Sequence, residues 1–309
     1  EWLQTLAPLI RKQLNDELSR IRLVDGSGEI SLLSFLFAEA LLCEKPSQKK
    51  CIELGTANLL TWISYSIYDQ LADLPDSTNV GAKLSAANTS LREAQRLYTL
   101  IAPSSTTPQR LFNEVDAAIS KEVYLRTIYT STKLLKARPA IATHKKLSTS
   151  KSIAHCIGPL LICEITGQSE KIPSLEKALR LYCSARQLND DLHDWQEDLM
   201  AGHPQYVIAR LLVDVRRRAQ VCVNHNATLE PPNSVARLRR VFWEYTLNTL
   251  LKEQRFMVRR ALRLIETSGL LQQGTDFEGV TLRPIERSAV QALDRNTFEK
   301  KFVTLLDAA

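Results

Sequence analysis

The sequence predicts an all-α fold, a single-domain antiparallel helical bundle that spans residues 1–309. Two observations lead to this prediction. The chain has only 10 glycines and 12 prolines in 309 residues, and they cluster between long stretches rich in leucine and alanine. Apolar residues in those stretches recur with the period of an α-helix. No internal repeat, long linker or sustained heptad pattern is evident, so one globular bundle is the simplest interpretation.

The helices can be marked off in order by the residues that break them. Turn-forming and helix-capping residues occur at 25–28, 75–77, 103–105 and 230–234, which are suitable helix boundaries. Ten helices are expected between the breaks, at about 3–22, 30–44, 48–73, 80–101, 108–136, 147–166, 173–200, 204–224, 234–268 and 284–306.

Composition narrows the classes of function. The formal net charge of +6 suits an anionic ligand or surface, although basic clusters on helices are often only solvated faces. No nucleic-acid-binding motif accompanies the charge, so nucleic acid is not expected as a partner. The six cysteines form no CxxC pair, which indicates reduced thiols. Neither a membrane-spanning apolar run nor a signal-peptide pattern is evident, and a cytoplasmic location is therefore expected.

The most informative segment is an acidic stretch inside the expected helix 173–200. Residues four apart share a helix face. One row therefore holds Asp190, Asp194 and Asp198, the neighbouring row holds Asn189, His193 and Glu197, and Asp191 adds a fifth carboxylate. Like charges at this spacing repel one another, and Mg²⁺, which prefers oxygen ligands, would compensate. The alternative is a solvated acidic face without a ligand.

A second acidic pair, Asp69 and Asp73, ends an apolar and aromatic helix. Carboxylates near a helix C-terminus are unfavourable unless a cation is present. Antiparallel packing of this helix against the acidic helix 173–200 would direct both acidic faces into one bundle cavity, as in other bundle metal sites. A structural role for the pair is the alternative.

Together these segments resemble the class I isoprenoid synthase superfamily. Residues 187–194 are similar to the second aspartate-rich motif of trans-prenyltransferases, FQxxDDxxD. Residues 187–198, followed by Gly202, are also similar to the QxxNxxRDxxED…G stretch of squalene and phytoene synthases. The terpene-cyclase pattern NDxxSxxxE is matched at Asn189, Asp190 and Glu197, with His193 where serine or threonine is usual.

Two further stretches extend the resemblance. Asp69 and Asp73 look like the first aspartate-rich motif, in which Gln70 departs from the DDxxD form. Lys151 and Ser152, ahead of Gly158 and Pro159, look like the stretch in which trans-prenyltransferases place a diphosphate-binding lysine.

The resemblance implies the fold of a class I isoprenoid synthase, in which three Mg²⁺ ions clamp a prenyl diphosphate and help pyrophosphate to leave. The implied catalytic residues are Asp69, Asp73, Asp190 and Asp194. The implied metal ligands are Asp69, Asp73, Asn189, Asp190, Asp191, Asp194, Glu197 and Asp198. Lys151 and Arg186 are the candidate diphosphate-binding cations, and Trp62, Tyr65, Tyr68 and His193 are the candidate pocket residues.

Three functions remain open at this stage. The first is a terpene synthase that converts an allylic prenyl diphosphate to a hydrocarbon or alcohol. The second is a prenyltransferase, either a squalene- or phytoene-synthase-like enzyme or a chain-elongating one. Elongation needs a second diphosphate site, and the Gly-Lys-Arg-rich stretch and Arg-Arg pair that announce it are not evident, which favours the terpene synthase. The third is a non-catalytic helical scaffold. Peripheral membrane contact through an apolar product and a homodimeric state are compatible with these interpretations.

Overall fold

The computed structural model describes residues 2–24, 28–73, 79–129, 141–223 and 235–307. Over these residues every regular element is a helix, turns and loops connect the helices, and one isolated antiparallel bridge joins Leu41 and Leu271. The predicted all-α fold is therefore confirmed. The α-helices are α1 (Pro8–Val24), α2 (Leu33–Ala40), α3 (Gln48–Asp73), α4 (Val80–Ile101), α5 (Thr107–Ile128), α6 (Ile141–Lys151), α7 (Ile157–Ile165), α8 (Ile172–Ala201), α9 (Tyr206–Val223), α10 (Val235–Val241), α11 (Leu247–Ser268), α12 (Asp276–Val280) and α13 (Leu282–Asp307). Short 3₁₀ turns lie at Trp2–Thr5, Ile153–Cys156 and Ser169–Lys171, and a π-helical turn lies at Phe242–Thr246.

Several predicted helices agree closely with the structure, and four differ. The expected helix 3–22 is instead a 3₁₀ turn at Trp2–Thr5 followed by α1, which begins at Pro8. Helices α3 and α4 have the expected bounds. The expected helix 147–166 is instead α6, a 3₁₀ turn and α7, and the expected helix 234–268 is interrupted by the π turn. The expected helix 30–44 ends early, because the main-chain N–H of Leu42 donates to the Leu270 oxygen, and this bond replaces a helical one. The expected boundaries at 25–27, 75–77 and 230–234 lie outside the described residues, as does the expected end of a helix at 136.

The helices group into two compact units. The first contains residues 1–116, 153–179 and 264–281. Its main packing is α3 on α4, with α1 against both. Buried residues such as Leu54, Ala57, Ala86, Ala87 and Tyr98 form its core. Small residues on both faces, Ala57 on α3 and Ala86 and Ala87 on α4, permit close helix approach.

The second unit contains residues 117–152, 180–263 and 282–309. Here α9 packs against α6 and α10. Its buried residues include Leu188, Val207, Leu211, Leu250 and Val258. These positions follow the helical period of their helices, and burial of their apolar side chains stabilises the unit.

One close contact in the first unit depends on a glycine. Gly158 on α7 is buried against α2, and a methyl group added to it would lie 2.0 Å from the Ser34 Oγ atom. The absence of a side chain therefore permits the approach of α7 to α2. Ser34 is fully buried, and its hydroxyl has no hydrogen-bond partner in the described part of the chain.

Two further expectations concern the surface and the thiols. None of the described helices combines the length and apolar character needed to cross a membrane. Cys43, Cys51, Cys156, Cys163 and Cys183 are free thiols, and all but Cys43 are buried. Burial raises the pKa of the Cys163 thiol to about 12, so that it is protonated at neutral pH.

Candidate active site

The acidic stretch lies within α8, as the sequence indicates, but its carboxylates divide between two environments. Asp194 and Glu197 are exposed, and Asp190 is partly exposed. Asp191 is buried, with only 3% of its surface exposed. Asp190 and Asp191 are consecutive and therefore about 100° apart around the helix axis, and packing of α8 buries Asp191 while Asp190 and Asp194 stay accessible.

Asp191 is held in a polar network within the second unit. Nε2 of Gln187 donates to Oδ1 of Asp191 at 2.9 Å, and the Ser148 hydroxyl donates to Oδ2 at 3.3 Å. Burial raises the pKa of Asp191 to about 7, although the Gln187 hydrogen bond and the charge of Lys151 act in the opposite direction. A buried carboxylate that already accepts two hydrogen bonds is poorly placed to bind a metal at the helix surface.

Lys151, the predicted diphosphate-binding lysine, lies at the end of α6 and forms an ion pair with Glu122. Its Nζ atom is 2.8 Å from Oε2 of Glu122, and the Arg126 guanidinium is 2.6 Å from Oε1 of the same carboxylate. Burial alone would raise the pKa of Glu122, but the charges of Lys151 and Arg126 lower it overall. The carboxylate is thus ionised and fixes both cations.

Arg186, the second predicted cation, lies one turn before the acidic row. Its Nη1 atom is 3.7 Å from Oδ2 of Asp190. Loss of hydration raises the pKa of Asp190, Arg186 lowers it, and the neighbouring charge of Asp194 raises it again. The net shift is upward. A cation that approaches Asp190 and Asp194 would relieve this unfavourable pairing of carboxylates.

Asn189 and His193 form the other predicted row, and both face α11 and α13. Oδ1 of Asn189, the atom suited to a metal, accepts a hydrogen bond from Nε2 of Gln254 at 3.3 Å. Nδ1 of His193 lies 2.6 Å from the main-chain oxygen of Asn189 and must carry its proton to make that bond. Both residues line a cavity of about 740 Å³. Asp198, at the far end of the acidic row, is 3.4 Å from Nδ1 of His203.

The first acidic motif lies at the end of α3 in the first unit. Nε2 of Gln70 donates to Oε2 of Glu17 at 2.8 Å, and Arg20 binds both Glu17 and Ser66. The pKa of Arg20 is raised by its hydrogen bonds to Glu17 and further by the charges of Glu17 and Asp69. Asp69 therefore lies near a cation of the protein itself. Helix α3 ends at Asp73, whose side chain lies outside the described part of the structure.

The predicted pocket aromatics on α3 form a cluster with polar ends. Tyr65 and Tyr68 make an edge-to-face contact at 6.1 Å between ring centroids. Their hydroxyls donate to Asp116 and Asn88 at 2.9 and 2.7 Å. Trp62 contacts the His155 ring edge-on at 5.6 Å. The structure thus brings Tyr65 and Tyr68 together, while His193 belongs to the other unit.

The outward carboxylates fit a magnesium ion that is shared with a substrate. Among the described residues, no group of three His, Cys, Asp or Glu side chains lies close enough to hold an ion alone. Mg²⁺, however, usually binds through one or two carboxylates together with water and substrate phosphate. Asp190 and Asp194, one turn apart on the outward side of α8, supply such a pair. Asp191 faces Gln187 and Ser148, Asn189 faces Gln254, and their roles as metal ligands stay predictions.

Comparison with known proteins identifies the fold. No protein-family model and no curated protein matches the sequence. Among solved structures, a decaprenyl diphosphate synthase from Rhodobacter capsulatus superposes with a TM-score of 0.65 and 12% identity over 93% of this chain and 94% of that one. A heptaprenyl diphosphate synthase from Staphylococcus aureus superposes with a TM-score of 0.60 and 14% identity, over 92% of this chain and 98% of that one. The apo form of an Arabidopsis medium/long-chain length prenyl pyrophosphate synthase superposes with a TM-score of 0.59 and 15% identity, over 92% of this chain and 99% of that one.

The chain has the class I isoprenoid synthase fold. This is the fold that the resemblance of the motifs implies, and that expectation is confirmed. The identities are low, so the likeness concerns architecture, and the residue roles above stay predictions.

Two residues of the site were not predicted from the sequence. Glu122 fixes Lys151, and Arg20 lies near Asp69. Glu122 is four residues before Arg126, and that spacing signals a helical ion pair. Nothing in the sequence indicates that Lys151 shares this carboxylate. Arg20 interacts with residues 46 or more positions away, a separation that no local pattern can reveal.

Proposed function

We propose that this chain is a Mg²⁺-dependent prenyltransferase that binds an allylic prenyl diphosphate at the outward carboxylates of α8. The observation that carries the proposal is the pair Asp190, which is partly exposed, and Asp194, which is exposed one turn further along, with Arg186 one turn before Asp190 on the same helix. The fold supports it, because the similar structures are named as prenyl diphosphate synthases. A prenyltransferase is therefore favoured over the terpene synthase that the sequence alone suggested.

Each residue of the proposed site has its own role. Asp190 and Asp194 would hold Mg²⁺, which when bound stabilises the negative charge of the departing diphosphate. Arg186 and Lys151 would donate hydrogen bonds to phosphate oxygens. Lys151 has three N–H donors, and it can keep Glu122 as one partner while it offers another proton to a phosphate. Glu122 then positions this cation.

A terpene synthase remains a second candidate because of a specific feature of the sequence. After Asp73 the chain continues Leu74-Pro75-Asp76-Ser77-Thr78, with no Arg-Arg pair, and no Gly-Lys-Arg-rich stretch lies near its N-terminus. An elongating enzyme needs cations for its second diphosphate. Participation of Asp69 and Asp73 in the same chemistry is a further prediction of both candidates.

The two candidates are separated by measurement of pyrophosphate release. Geranyl, farnesyl and geranylgeranyl diphosphates would each be incubated with the protein and Mg²⁺, with and without isopentenyl diphosphate, and the extracts analysed by mass spectrometry. Release that depends on isopentenyl diphosphate, or a product of doubled carbon number, supports the prenyltransferase. Release from one substrate alone, with a hydrocarbon or alcohol product, supports the terpene synthase. Absence of release under every condition would favour the scaffold.

A further inference from the structure

A cavity in the second unit lies on a side of α8 that the proposed chemistry does not use. It has a volume of about 740 Å³, within the range of roughly 300–1,000 Å³ that is typical of small-molecule sites. Leu192 and Gln196 line it, and each is two residues from Asp194. Two residues correspond to about 200° around a helix axis. The cavity therefore lies across the helix from the outward carboxylates.

The walls of the cavity are mainly apolar and aromatic. Trp195 and Phe242 stack with their centroids 4.3 Å apart, and Trp243 meets Phe242 edge-on at 5.5 Å. Leucines from α8 and α11 complete the apolar surface: Leu192, Leu247 and Leu251. The cavity opens to solvent, because His193, Trp243 and Arg295 are exposed. An apolar molecule would gain from burial against its exposed apolar surface, such as that of Trp243, which is 48% exposed.

The π-helical turn Phe242–Thr246 creates the aromatic wall. Phe242 and Leu247 are five residues apart and line the same cavity, which is the spacing of a π turn. Trp243, the next residue, lines it as well. Within the turn, Phe242 is buried and Trp243 is 48% exposed, and their rings meet edge-on. Such turns are frequent at functional sites.

Uncharged polar groups border the apolar walls. Nδ2 of Asn296, which is 5% exposed, donates to the main-chain oxygen of Trp243 at 3.3 Å, and its Oδ1 atom remains as an acceptor. Oε1 of Gln196 accepts from Arg239 at 3.0 Å, which leaves its N–H groups as donors. Nδ1 of His193 lies against the main-chain oxygen of Asn189, so Nε2 is the ring nitrogen that is left for a ligand.

Permanent charge is sparse in the described lining. Among the described lining residues the basic side chain is that of Arg295. It is exposed and already makes another interaction. No aspartate or glutamate is present among these lining residues. A diphosphate, which binds through several cations and metal ions, finds no such set here. A hydroxyl or carbonyl would find both donors and acceptors.

We propose that this cavity is a second ligand site, which binds a neutral molecule with a hydrocarbon body and one uncharged hydrogen-bonding head group. The body lies against Trp195, Phe242 and Trp243, and the head group lies among Asn296, Gln196 and His193. The site is independent of the reaction at Asp190 and Asp194, and binding needs neither Mg²⁺ nor pyrophosphate.

The test uses farnesol as the probe and the full chain in metal-free buffer. Binding would be followed by tryptophan fluorescence, because Trp195 and Trp243 line the cavity, and checked by isothermal titration calorimetry. We expect saturable binding with Kd on the order of 1–100 μM. Ala292→Phe, which fills the cavity from α13, should raise Kd at least tenfold. Gln291→Phe introduces the same ring at the adjacent exposed position and should leave Kd within twofold.

Several outcomes would overturn the proposal. These are no saturable binding, or an Ala292→Phe protein that has the wild-type circular dichroism spectrum and the wild-type Kd. Competition by Mg²⁺ and pyrophosphate would instead place the probe at the carboxylates. Tighter binding of farnesyl phosphate than of farnesol would refute the uncharged head group. If Ala292→Phe does not fold, Ser288→Trp at the exposed rim of the cavity replaces it and should raise Kd at least tenfold. Arg287→Trp is its control and should leave Kd within twofold.

Discussion

Lys151 and Glu122 form an ion pair of 2.8 Å in which the side chains are only 15% and 8% exposed. Removal of one partner from such a pair leaves an uncompensated charge in a poorly hydrated place. We expect Glu122→Ala to lower the free energy of unfolding by about 3–5 kcal/mol, as measured by urea denaturation. The free energy of unfolding of Glu122→Gln should lie between those of the wild type and Glu122→Ala, since glutamine keeps the shape and a hydrogen-bond acceptor but removes the charge.

A matched control for the buried pair is the exposed pair of Lys12 and Asp16, at 2.7 Å on α1. Asp16→Ala should change the free energy of unfolding by less than about 1 kcal/mol, because solvent screens exposed ion pairs. Equal effects of Asp16→Ala and Glu122→Ala would show that burial does not distinguish the two pairs.

Asp194→Asn should reduce pyrophosphate release at least about 100-fold and leave the helical fold intact. The side chain is exposed and outside the core, so its replacement removes a proposed metal ligand and little packing. Activity would be measured at saturating Mg²⁺, with circular dichroism as the check on folding. Asp294→Asn, at an exposed position on α13, is the control and should retain full activity. A folded, active Asp194→Asn protein would contradict the assignment of the outward row.

Asp191→Asn should stabilise the metal-free protein above pH 7. The pKa of Asp191 is raised to about 7 in the folded chain, from an ordinary value near 4. The folded state therefore holds a proton that the unfolded state has lost between pH 4 and 7, and the contribution of this group to stability falls as the pH rises through that interval. We expect the midpoint of thermal unfolding to rise by at least about 3 °C at pH 8, and the gain to vanish near pH 4.

The comparison for this prediction is Asp294→Asn, which alters an exposed carboxylate. Its unfolding midpoint should differ little from that of the wild type across the same pH range. A destabilised Asp191→Asn protein at pH 8 would mean that the ionised carboxylate is favourable where it lies, and would exclude the proposed cost of its burial.

Gly158→Ala should destabilise the protein by about 1–3 kcal/mol, because the new methyl group overlaps the Ser34 hydroxyl. Ser34→Ala alone should be nearly neutral or stabilising, since that hydroxyl is buried without a partner among the described residues. In the double variant the two effects should not add, and a coupling free energy of about 1 kcal/mol or more is expected from chemical denaturation. Additive effects would show that Ser34 is not the group that opposes a side chain at position 158.

The helical fold and the composition of the acidic row were determined by the sequence. The helical period of the apolar residues and the positions of the turn-forming residues predicted the observed bounds of α3 and α4, because both signals act locally. The same spacing placed Asp190 and Asp194 on one row of α8. Where local preferences competed with tertiary contacts, prediction was wrong, as at Leu42, whose main chain bonds to Leu270 instead of continuing α2.

Only the tertiary structure decided which side of α8 each acidic residue faces. Spacing fixes the angle between two side chains around a helix axis, but the orientation of that helix follows from the surfaces packed against it. Asp191 was thus turned inward to Gln187 and Ser148, and Asn189 was turned toward Gln254, which is 65 residues away in sequence. The pairing of Lys151 with Glu122 and the cavity beside the π turn have the same origin, because each depends on residues that only packing brings together.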